Sequence, residues 1–181
     1  MPYEAPPDLA GLSLAEMAEQ VDLRKLPPVA SWNPPEAGDS RMRIAADGCW
    51  YHDGGEITRP AMVRAFASLL RREDDGRYWL VTPHYKQSIE VEDAAFIAVD
   101  LKADSGALTF RLNTDELVIA GPDNPLRAEG DPDSPAIYLA VRNGCEARLD
   151  RSTWLQLADI ALARDSLAVE SQGALFSLVP A

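Results

Sequence analysis

Hydrophobic and polar residues alternate along two similar stretches of the chain, and each stretch has a turn signal at its centre. RMRIAADGCWYH turns at Asp47 and Gly48, and LAVRNGCEARL turns at Asn143 and Gly144. Asp-Gly and Asn-Gly favour the type I′ turn of a two-residue hairpin, because both of its central residues need positive φ. The alternation and the turns therefore predict two β-hairpins, one in each half of the chain.

The residues that flank a two-residue turn pair directly across the hairpin. The first hairpin is therefore predicted to pair Ile44 with Tyr51 on one face and Arg43 with His52 on the other. A helix follows, and its apolar positions at helical spacing are Met62, Val63, Phe66, Leu69 and Leu70. The segment YWLV comes next and has the composition of a strand.

The second hairpin is followed by the same order of elements. Asp150 or Ser152 caps a helix whose apolar positions are Trp154, Leu157, Ala158, Ala161 and Leu162. The strand LFSLV then ends before Pro180, as YWLV ends shortly before Pro83. We therefore predict an internal duplication of a strand-turn-strand-helix-strand unit.

The segments outside the two copies predict further elements. Ser13 and Glu16 have the spacing of a capping box at the start of a helix over residues 13–25, and the prolines after it predict an extended, rigid arm. IEVED, FIAVDL, ALTFRL and ELVIA read as four short strands of an antiparallel sheet. Residues 121–135, GPDNPLRAEGDPDSP, are predicted to be a loop.

These elements together indicate the α+β class, with two small antiparallel-sheet halves built by internal duplication. We expect an N-terminal helix and proline-rich arm at residues 1–30. The first α+β half is then expected at residues 31–85 and the second at residues 86–181.

The balance of charge restricts the partners of the chain. Its 181 residues include 17 Lys and Arg against 29 Asp and Glu, which gives a net charge of -12. Such a chain repels a polyanion on average, so nucleic acid is not expected as a bulk partner. The sequence has no apolar run of membrane-spanning length, and its start, MPYEAPPDLAG, lacks the pattern of a signal peptide. We therefore expect a cytoplasmic protein that does not insert into membranes.

Candidate catalytic and metal-binding residues are few. Cys49 and Cys145 occupy equivalent positions of the two hairpins, which favours small packing residues over a redox pair. His52 and Cys49 are three residues apart on a predicted strand, so their side chains point to opposite faces and make a poor metal clamp. His84 lies in a predicted loop, where it could enter a cleft or stay exposed. No metal and no cofactor are expected, and no motif supports catalysis.

Arginines concentrate beside the two hairpins although the chain is acidic. Those that flank the first hairpin are Arg41, Arg43 and Arg59, and those that flank the second are Arg127, Arg142, Arg148 and Arg151. A guanidinium beside the N-terminus of a helix suits a phosphate or a carboxylate. We therefore expect a small anionic ligand. The alternative is that each arginine pairs with a nearby carboxylate, for example Arg148 with Glu146.

Several short motifs together resemble one known family. The first half has WNPP from Trp32, MRI from Met42 and LVTP from Leu80, and the second has PLR from Pro125 and EARL from Glu146. No single motif is specific, but their joint spacing over residues 31–179 is. In this respect the chain resembles the small bacterial family known as domain of unknown function 1285.

The resemblance implies a duplicated α+β architecture, a C-terminal half loosely similar to pleckstrin-homology-like folds, and a ligand site between the halves. It also implies a nucleotide-like ligand and a role in signal transduction. The matching candidate ligand-binding residues are Asn33, Asp39, Arg43, Arg59, Arg127, Arg142, Arg148 and Arg151. We add His84, because His84 and Tyr85 depart from the family pattern and would change the ligand if they line the cleft.

The main hypothesis from the sequence is a cytoplasmic small-molecule binding or sensing module with an anionic, nucleotide-like ligand between its halves. Arginines would hold a phosphate or carboxylate, and Trp32, Trp50 or Tyr138 would stack on a base. One alternative is a protein-protein interaction module that uses the WNPP arm and an exposed sheet. Another is an enzyme acting on a phosphate-bearing substrate, with His84 or Asp39 as general base.

Overall fold

Residues 8–23 and 25–181 are described in the computed structural model of the protein. Up to residue 91, the helices and strands are α1 (Leu14–Leu23), β1 (Glu36–Ile44), β2 (Trp50–His52), β3 (Gly55–Glu56), α2 (Pro60–Ala67), β4 (Leu70–Arg72), β5 (Tyr78–Val81) and β6 (Tyr85–Val91). Beyond it, they are β7 (Phe96–Asp104), β8 (Ala107–Leu112), β9 (Leu117–Ile119), β10 (Leu126–Asp131), β11 (Ser134–Arg142), β12 (Cys145–Leu149), α3 (Arg151–Ala163), β13 (Ala168–Ser171) and β14 (Ala174–Ser177).

Within the described residues, the strands form two six-stranded sheets and a separate two-stranded sheet. The first sheet has the strand order β3-β2-β1-β6-β5-β4 and the second has the order β10-β11-β12-β7-β8-β9, while β13 pairs with β14. The predicted α+β fold with two duplicated halves is confirmed by this arrangement. The pleckstrin-homology-like character of the second half stays a prediction.

The described residues divide into two compact units. The N-terminal unit contains Lys25–Phe96 and Val141–Glu146, and the C-terminal unit contains residues 8–23, Ile97–Ala140 and Ala147–Ala181. The N-terminal unit thus extends past residue 85, the end of the predicted first half. The reason is β6, which pairs parallel with β1 and antiparallel with β5. The segment IEVED therefore belongs to the first sheet and not to the predicted central one.

The first hairpin has a different turn from the predicted one. Ile44 pairs with Trp50, so the predicted pairing of Ile44 with Tyr51 is wrong, and every other pair is shifted in the same way. The loop has three residues, Ala46 to Gly48, because the Ala45 N–H donates to the Cys49 carbonyl at 2.8 Å, and within it the Gly48 N–H donates to the Ala45 carbonyl at 2.9 Å. Gly48 has φ +89 and takes the left-handed position that closes such a loop.

The second hairpin and its helix follow the prediction closely. Asn143 and Gly144 have φ +50 and +76, which confirms the two-residue type I′ turn. Asp150 caps α3, since its carboxylate accepts the Thr153 N–H at 2.8 Å. One predicted core position differs, because the Leu162 side chain is exposed.

Three further elements differ from the prediction. The helix α2 ends at Ala67, and Leu70 instead begins β4, which pairs with β5. Residues 126–131, predicted as loop, form β10 at the edge of the second sheet. Pro135 is near the start of β11, where its missing N–H interrupts the ladder only at the end of the strand. The predicted strand LFSLV is present in part as β14, and its partner β13 was not predicted.

The predicted capping box at the start of α1 is confirmed. The Glu16 N–H donates to the Ser13 hydroxyl and the Ser13 N–H donates to the Glu16 carboxylate, both at 3.2 Å. Met17 of α1 packs against Leu117 of β9 within the C-terminal unit. Parts of the predicted N-terminal segment, residues 1–7 and residue 24, lie outside the described residues.

The proline-rich arm is packed against the N-terminal sheet. A short 3-10 helix, Val29–Ser31, interrupts the predicted extended conformation. Val29 is buried against Trp79 of β5. The Arg71 guanidinium donates to the carbonyls of Val29 and Trp32 at 3.2 and 2.8 Å. These contacts attach the arm to β4 and β5 of the N-terminal unit.

Candidate ligand-binding site

A cavity of about 540 Å³ opens on the N-terminal sheet beside β6. Ser88, Glu90 and Glu92 line it, and they point to one face because side chains alternate along a strand. Asp39 of β1 lies opposite Ser88 in the register, and Arg77 comes directly before β5. The cavity therefore brings a guanidinium and several carboxylates to one surface.

Arg77 is placed by the turn between β4 and β5. Gly76 has φ +85 and closes this turn, and the Asp75 carboxylate accepts the Arg77 N–H at 2.9 Å. The Arg77 guanidinium lies 4.7 Å from the centroid of the Trp79 ring, which is a cation-π contact. Among the described residues, no carboxylate pairs with it. Its N–H donors therefore stay available to an anion in the cavity.

Two carboxylates on the cavity differ in their partners. The Asp39 carboxylate accepts the Arg41 N–H at 2.8 Å and faces the Ser88 hydroxyl at 3.4 Å. The Glu90 side chain is exposed and makes no hydrogen bond or ion pair with another described residue. Glu90 is thus a free acceptor on the same surface as the Arg77 donors.

A β-bulge in β1 interrupts its pairing with β6 beside the cavity. The register between β1 and β6 shifts between Asp39 and Met42, and Arg41 has φ +55, which is uncommon for a residue with a side chain. The Ser40 hydroxyl bridges the gap, since it donates to the Ser88 carbonyl at 2.6 Å and accepts the Met42 N–H at 3.1 Å. Bulges of this kind often redirect side chains at functional sites.

The bulge borders a second cavity of about 210 Å³, which shares Asp39 and Glu90 with the first. Arg41, Arg43 and Tyr51 complete its charged and aromatic lining. The two cavities therefore meet at a pair of carboxylates, and a cationic side chain lies on either side of that pair.

Arg43 is held in place on this second cavity. Its guanidinium pairs with the Glu92 carboxylate and lies 4.4 Å from the centroid of the Tyr51 ring. The other Glu92 oxygen accepts the Ala46 N–H at 2.8 Å, which ties the pair to the first hairpin. Arg43 is thus an oriented donor, while Arg77 is a free one.

A network of charges fixes the strands behind Arg77. The Lys86 ammonium lies 4.2 Å from the centroid of the Trp79 ring and pairs with Glu73 at 2.8 Å. Arg71 pairs with the same carboxylate at 2.9 Å. The hydrogen bond from Lys86, followed by that from Arg71, lowers the pKa of Glu73 below its ordinary value. These contacts join β4, β5 and β6 beside the cavity.

The predicted ligand-binding residues are divided between the two units. Those in the N-terminal unit are Asn33, Asp39, Arg43, Arg59, His84 and Arg142, and those in the C-terminal unit are Arg127, Arg148 and Arg151. Asp39 and Arg43 line the cavities described above. Asn33, Arg59 and His84 are exposed but do not line either of them.

Two of the predicted arginines are held by aromatic rings inside their own units. The Arg142 guanidinium lies 5.1 Å from the Phe96 ring centroid and donates to a carbonyl at the end of α2 at 3.3 Å. The Arg127 guanidinium lies 4.3 Å from the Tyr138 ring and pairs with Glu129. Arg127 therefore pairs with a nearby carboxylate, which was the alternative to ligand binding offered by the sequence.

The aromatic residues predicted to stack on a ligand are mostly internal. Trp50 is only 1 % exposed and stacks on Phe66, with ring centroids 6.4 Å apart. Tyr138 is also buried, and Trp32 packs against the cluster around Val29. Neither Trp50 nor Tyr138 can therefore offer a ring face to a ligand without a rearrangement of the core.

Arg77 and Glu90 were not predicted from the sequence. Both carry a weak signal, since Asp75-Gly76 marks a turn directly before Arg77 and the alternation in SIEVE places Glu90 on a polar face. What brings them to one cavity is the pairing of β5 with β6. That pairing could not be inferred from either segment alone.

The described residues contain neither a cluster of metal ligands nor a membrane-spanning helix. No group of His, Cys, Asp and Glu side chains among them is arranged to hold a metal ion. Of the helices in that part of the chain, none is long and apolar enough to cross a membrane. Cys49 and Cys145 are both free thiols.

Two family models match the chain in succession. The N-terminal domain of DUF1285, a domain of unknown function, matches residues 27–94, and the C-terminal domain of DUF1285 matches residues 95–178. The chain belongs to the DUF1285 family. The junction of the two DUF1285 models falls close to Phe96, where the N-terminal unit ends.

Solved structures of the DUF1285 family have the same fold. A DUF1285 family protein from Silicibacter pomeroyi DSS-3 is 42% identical, with a TM-score of 0.78 over 93% of this chain and 95% of that chain. A second, from Shewanella baltica OS155, is 24% identical, with a TM-score of 0.54 over 65% of this chain and 90% of that chain. The second likeness supports the fold alone. No curated protein matches the chain.

Proposed function

We propose that this protein is a small-molecule binding module whose ligand carries an anionic group and hydroxyl groups, as a nucleotide does. One observation carries the proposal: Arg77 and Glu90 line the same cavity of about 540 Å³, and neither forms an ion pair within the described residues. A free cation and a free carboxylate on one cavity are suited to a ligand that offers both an anion and donors. Such a module would act as a cytoplasmic sensor.

The chemistry of the lining residues narrows the ligand. A guanidinium can bind two oxygens of a phosphate or carboxylate at once, and the Arg77 guanidinium is exposed at the cavity. The carboxylates of Glu90 and Asp39 accept hydrogen bonds from hydroxyl groups, such as those of a ribose. Because carboxylates outnumber cations on this cavity, a monophosphate is favoured over a triphosphate, whose extra charges would be repelled.

The size of the site agrees with a ligand of this class. Small-molecule sites usually have volumes of roughly 300–1,000 Å³. The cavity of about 540 Å³ lies within this range, and the adjoining cavity of about 210 Å³ extends it past Asp39 and Glu90. In the adjoining cavity, Tyr51 and the Arg41 guanidinium, which also pairs with Asp53 at 3.2 Å, would contact a second part of the ligand.

Thermal unfolding with a panel of nucleosides, nucleoside monophosphates, cyclic mononucleotides and triphosphates tests the proposal. At about a hundred times its Kd, a ligand stabilises the folded protein by about 2.7 kcal/mol, which for a chain of this size is a shift of several degrees. We expect a monophosphate or cyclic monophosphate to give this shift. Arg77→Gln should abolish it, whereas the charge-matched control Lys25→Gln should retain it, because Lys25 does not line the cavity.

A second variant separates recognition of the anion from recognition of the hydroxyls. For a ribose monophosphate compared with its 2′-deoxy form, Glu90→Gln should reduce the preference for the ribose form, because an amide is a weaker acceptor than a carboxylate. It should not weaken binding of the 2′-deoxy form, because it removes a negative charge beside the phosphate. If every compound in the panel leaves the unfolding temperature unchanged, the proposal is wrong. It is equally wrong if Arg77→Gln binds as tightly as the wild type.

A further inference from the structure

An apolar groove of about 220 Å³ lies along α3 in the C-terminal unit. The helix contributes Trp154, Leu157 and Ala161 to its wall, and Pro135 of β11 and Leu178 near the C-terminus lie across from them. Trp154 is half-buried, and Leu157 and Ala161 are buried. One wall of the groove is therefore also the packing face of α3.

The rim of the groove carries large apolar side chains that are open to solvent. Leu162 and Leu167 both line the groove, and each is 67% exposed. Single exposed leucines are common on protein surfaces, but leucines gathered around an apolar depression are typical of interaction sites. Leu155, on the same helix, is 47% exposed and does not line the groove, which makes it a natural reference position.

The charges around the groove are acidic. Asp133 lines it, and the neighbouring residues in the chain include Asp131 and Asp165, both of which are exposed. Arg164 also neighbours this stretch, but it lines a different cavity together with Glu170. Among the described residues, Asp133 is thus the one charged residue that lines the groove, and an apolar groove lined by a carboxylate is complementary to an apolar side chain that has a cation beside it.

We propose that this groove binds a basic amphipathic segment of a partner protein, with a leucine or phenylalanine of that segment as the anchor. An apolar cavity of about 150 Å³ accommodates a benzene molecule, so a groove of 220 Å³ accepts one large side chain and part of a neighbour. Grooves of this kind commonly receive one face of an amphipathic helix. A second copy of this chain is a poorer occupant, because each copy carries a net charge of -12.

Binding of synthetic amphipathic peptides to the full chain, measured by calorimetry at physiological salt, tests the proposal. One peptide combines leucine with lysine, a second replaces each lysine by glutamate, and a third replaces each leucine by serine. We expect the wild type to bind the first at least about tenfold more tightly than either of the others. Asp133→Asn should weaken binding of the first peptide and reduce its dependence on salt.

A matched pair of variants locates the contact on the groove. Leu162→Gln should weaken binding of the leucine-lysine peptide about tenfold, whereas Leu155→Gln, on the same helix but outside the groove, should not change it. Both side chains are exposed, so both variants should unfold at the wild-type temperature. If Leu162→Gln does unfold early, Leu167→Gln provides the same comparison.

Three results would overturn this proposal. One is that the wild type does not bind the leucine-lysine peptide. Another is that Leu155→Gln and Leu162→Gln weaken binding equally, which would place the contact elsewhere on α3. The third is a dimer of this chain that the peptide dissociates and Leu162→Gln abolishes, because a second copy would then be the occupant of the groove.

Discussion

Gly144→Ala should destabilise the protein more than the same change in an equivalent turn. Gly144 has φ +76, and a Cβ added there would lie 2.6 Å from the Arg72 carbonyl oxygen. That oxygen is backbone, and the Arg72 N–H donates to the Asn143 carbonyl at 2.9 Å, so the two chain segments are held together at this point. An added methyl group therefore has to displace backbone atoms.

The expected loss combines two effects at Gly144. A left-handed backbone conformation is unfavourable by roughly 1–2 kcal/mol for a residue with a Cβ. Inserting a methyl group into a filled site typically costs about 1–3 kcal/mol more. We therefore expect Gly144→Ala to lower the free energy of unfolding by about 2–5 kcal/mol.

Gly106→Ala is the matched control for this prediction. Gly106 has φ +79 and follows Ser105 at φ +49, which is nearly the conformation of Gly144 after Asn143. No described atom beyond its chain neighbours lies within 4 Å of a Cβ added to Gly106, so only the conformational loss of roughly 1–2 kcal/mol applies. Urea unfolding followed by circular dichroism measures both variants. Equal losses in the two would refute the argument from the close backbone approach.

Two further predictions follow from perturbed ionisable groups. Burial raises the pKa of both thiols, that of Cys145 to about 12. Because Cys145 is buried and Cys49 only half-buried, a thiol reagent at mildly alkaline pH should label Cys49 first in the folded protein, and it should label both thiols equally in denaturant. The hydrogen bond from Lys86 lowers the pKa of Glu73. The ionised Glu73 carboxylate therefore stabilises the fold above its ordinary pKa of 4.5, and this stabilisation is lost as the pH falls through the lowered pKa. The difference in unfolding free energy between wild type and Glu73→Gln should therefore shrink in acid; a constant difference would contradict this.

Local sequence predicted where the first hairpin turns but not how it turns. Asp53 and Gly54 both have positive φ and form a two-residue turn, whereas the same dipeptide at Asp47 belongs to a three-residue loop. The observed register sets Ile44 opposite Trp50, and both side chains are buried. A shift of one residue exchanges the faces of a strand. Packing of the core therefore selects the turn, and the dipeptide does not contain that information.

Pairings between distant segments were the other part of the fold that the sequence did not contain. The helices, the capping box and most strands have a local cause in spacing and caps, and they were predicted. The parallel pairing of β1 with β6 joins segments that are far apart, for example Ile44 with Val91. Alternation shows that each segment is a strand but gives it no partner. The segment IEVED was therefore placed in the wrong sheet.

The candidate site shows the same limit. Proximity to the first hairpin selects Arg43 and the family resemblance adds Asp39, and both residues line the cavities described above. Proximity to the second hairpin also selects Arg142, whose guanidinium lies over the Phe96 ring and donates to a backbone carbonyl. Position in the sequence cannot distinguish an arginine that packs on a ring inside the fold from one that faces an open cavity. Only the structure separates the two.

Net charge and local charge act in opposite directions on the anionic ligand that we propose for this protein. A chain with a net charge of -12 repels such a ligand at long range, although physiological salt screens that repulsion beyond about 8 Å. Recognition has to come from contacts inside this distance. Arg77 suits that role because its guanidinium is exposed, rests on the Trp79 ring and has no carboxylate partner among the described residues. On the function proposed above, the acidic surface would repel polyanions, while the Arg77 guanidinium would accept a ligand of low charge.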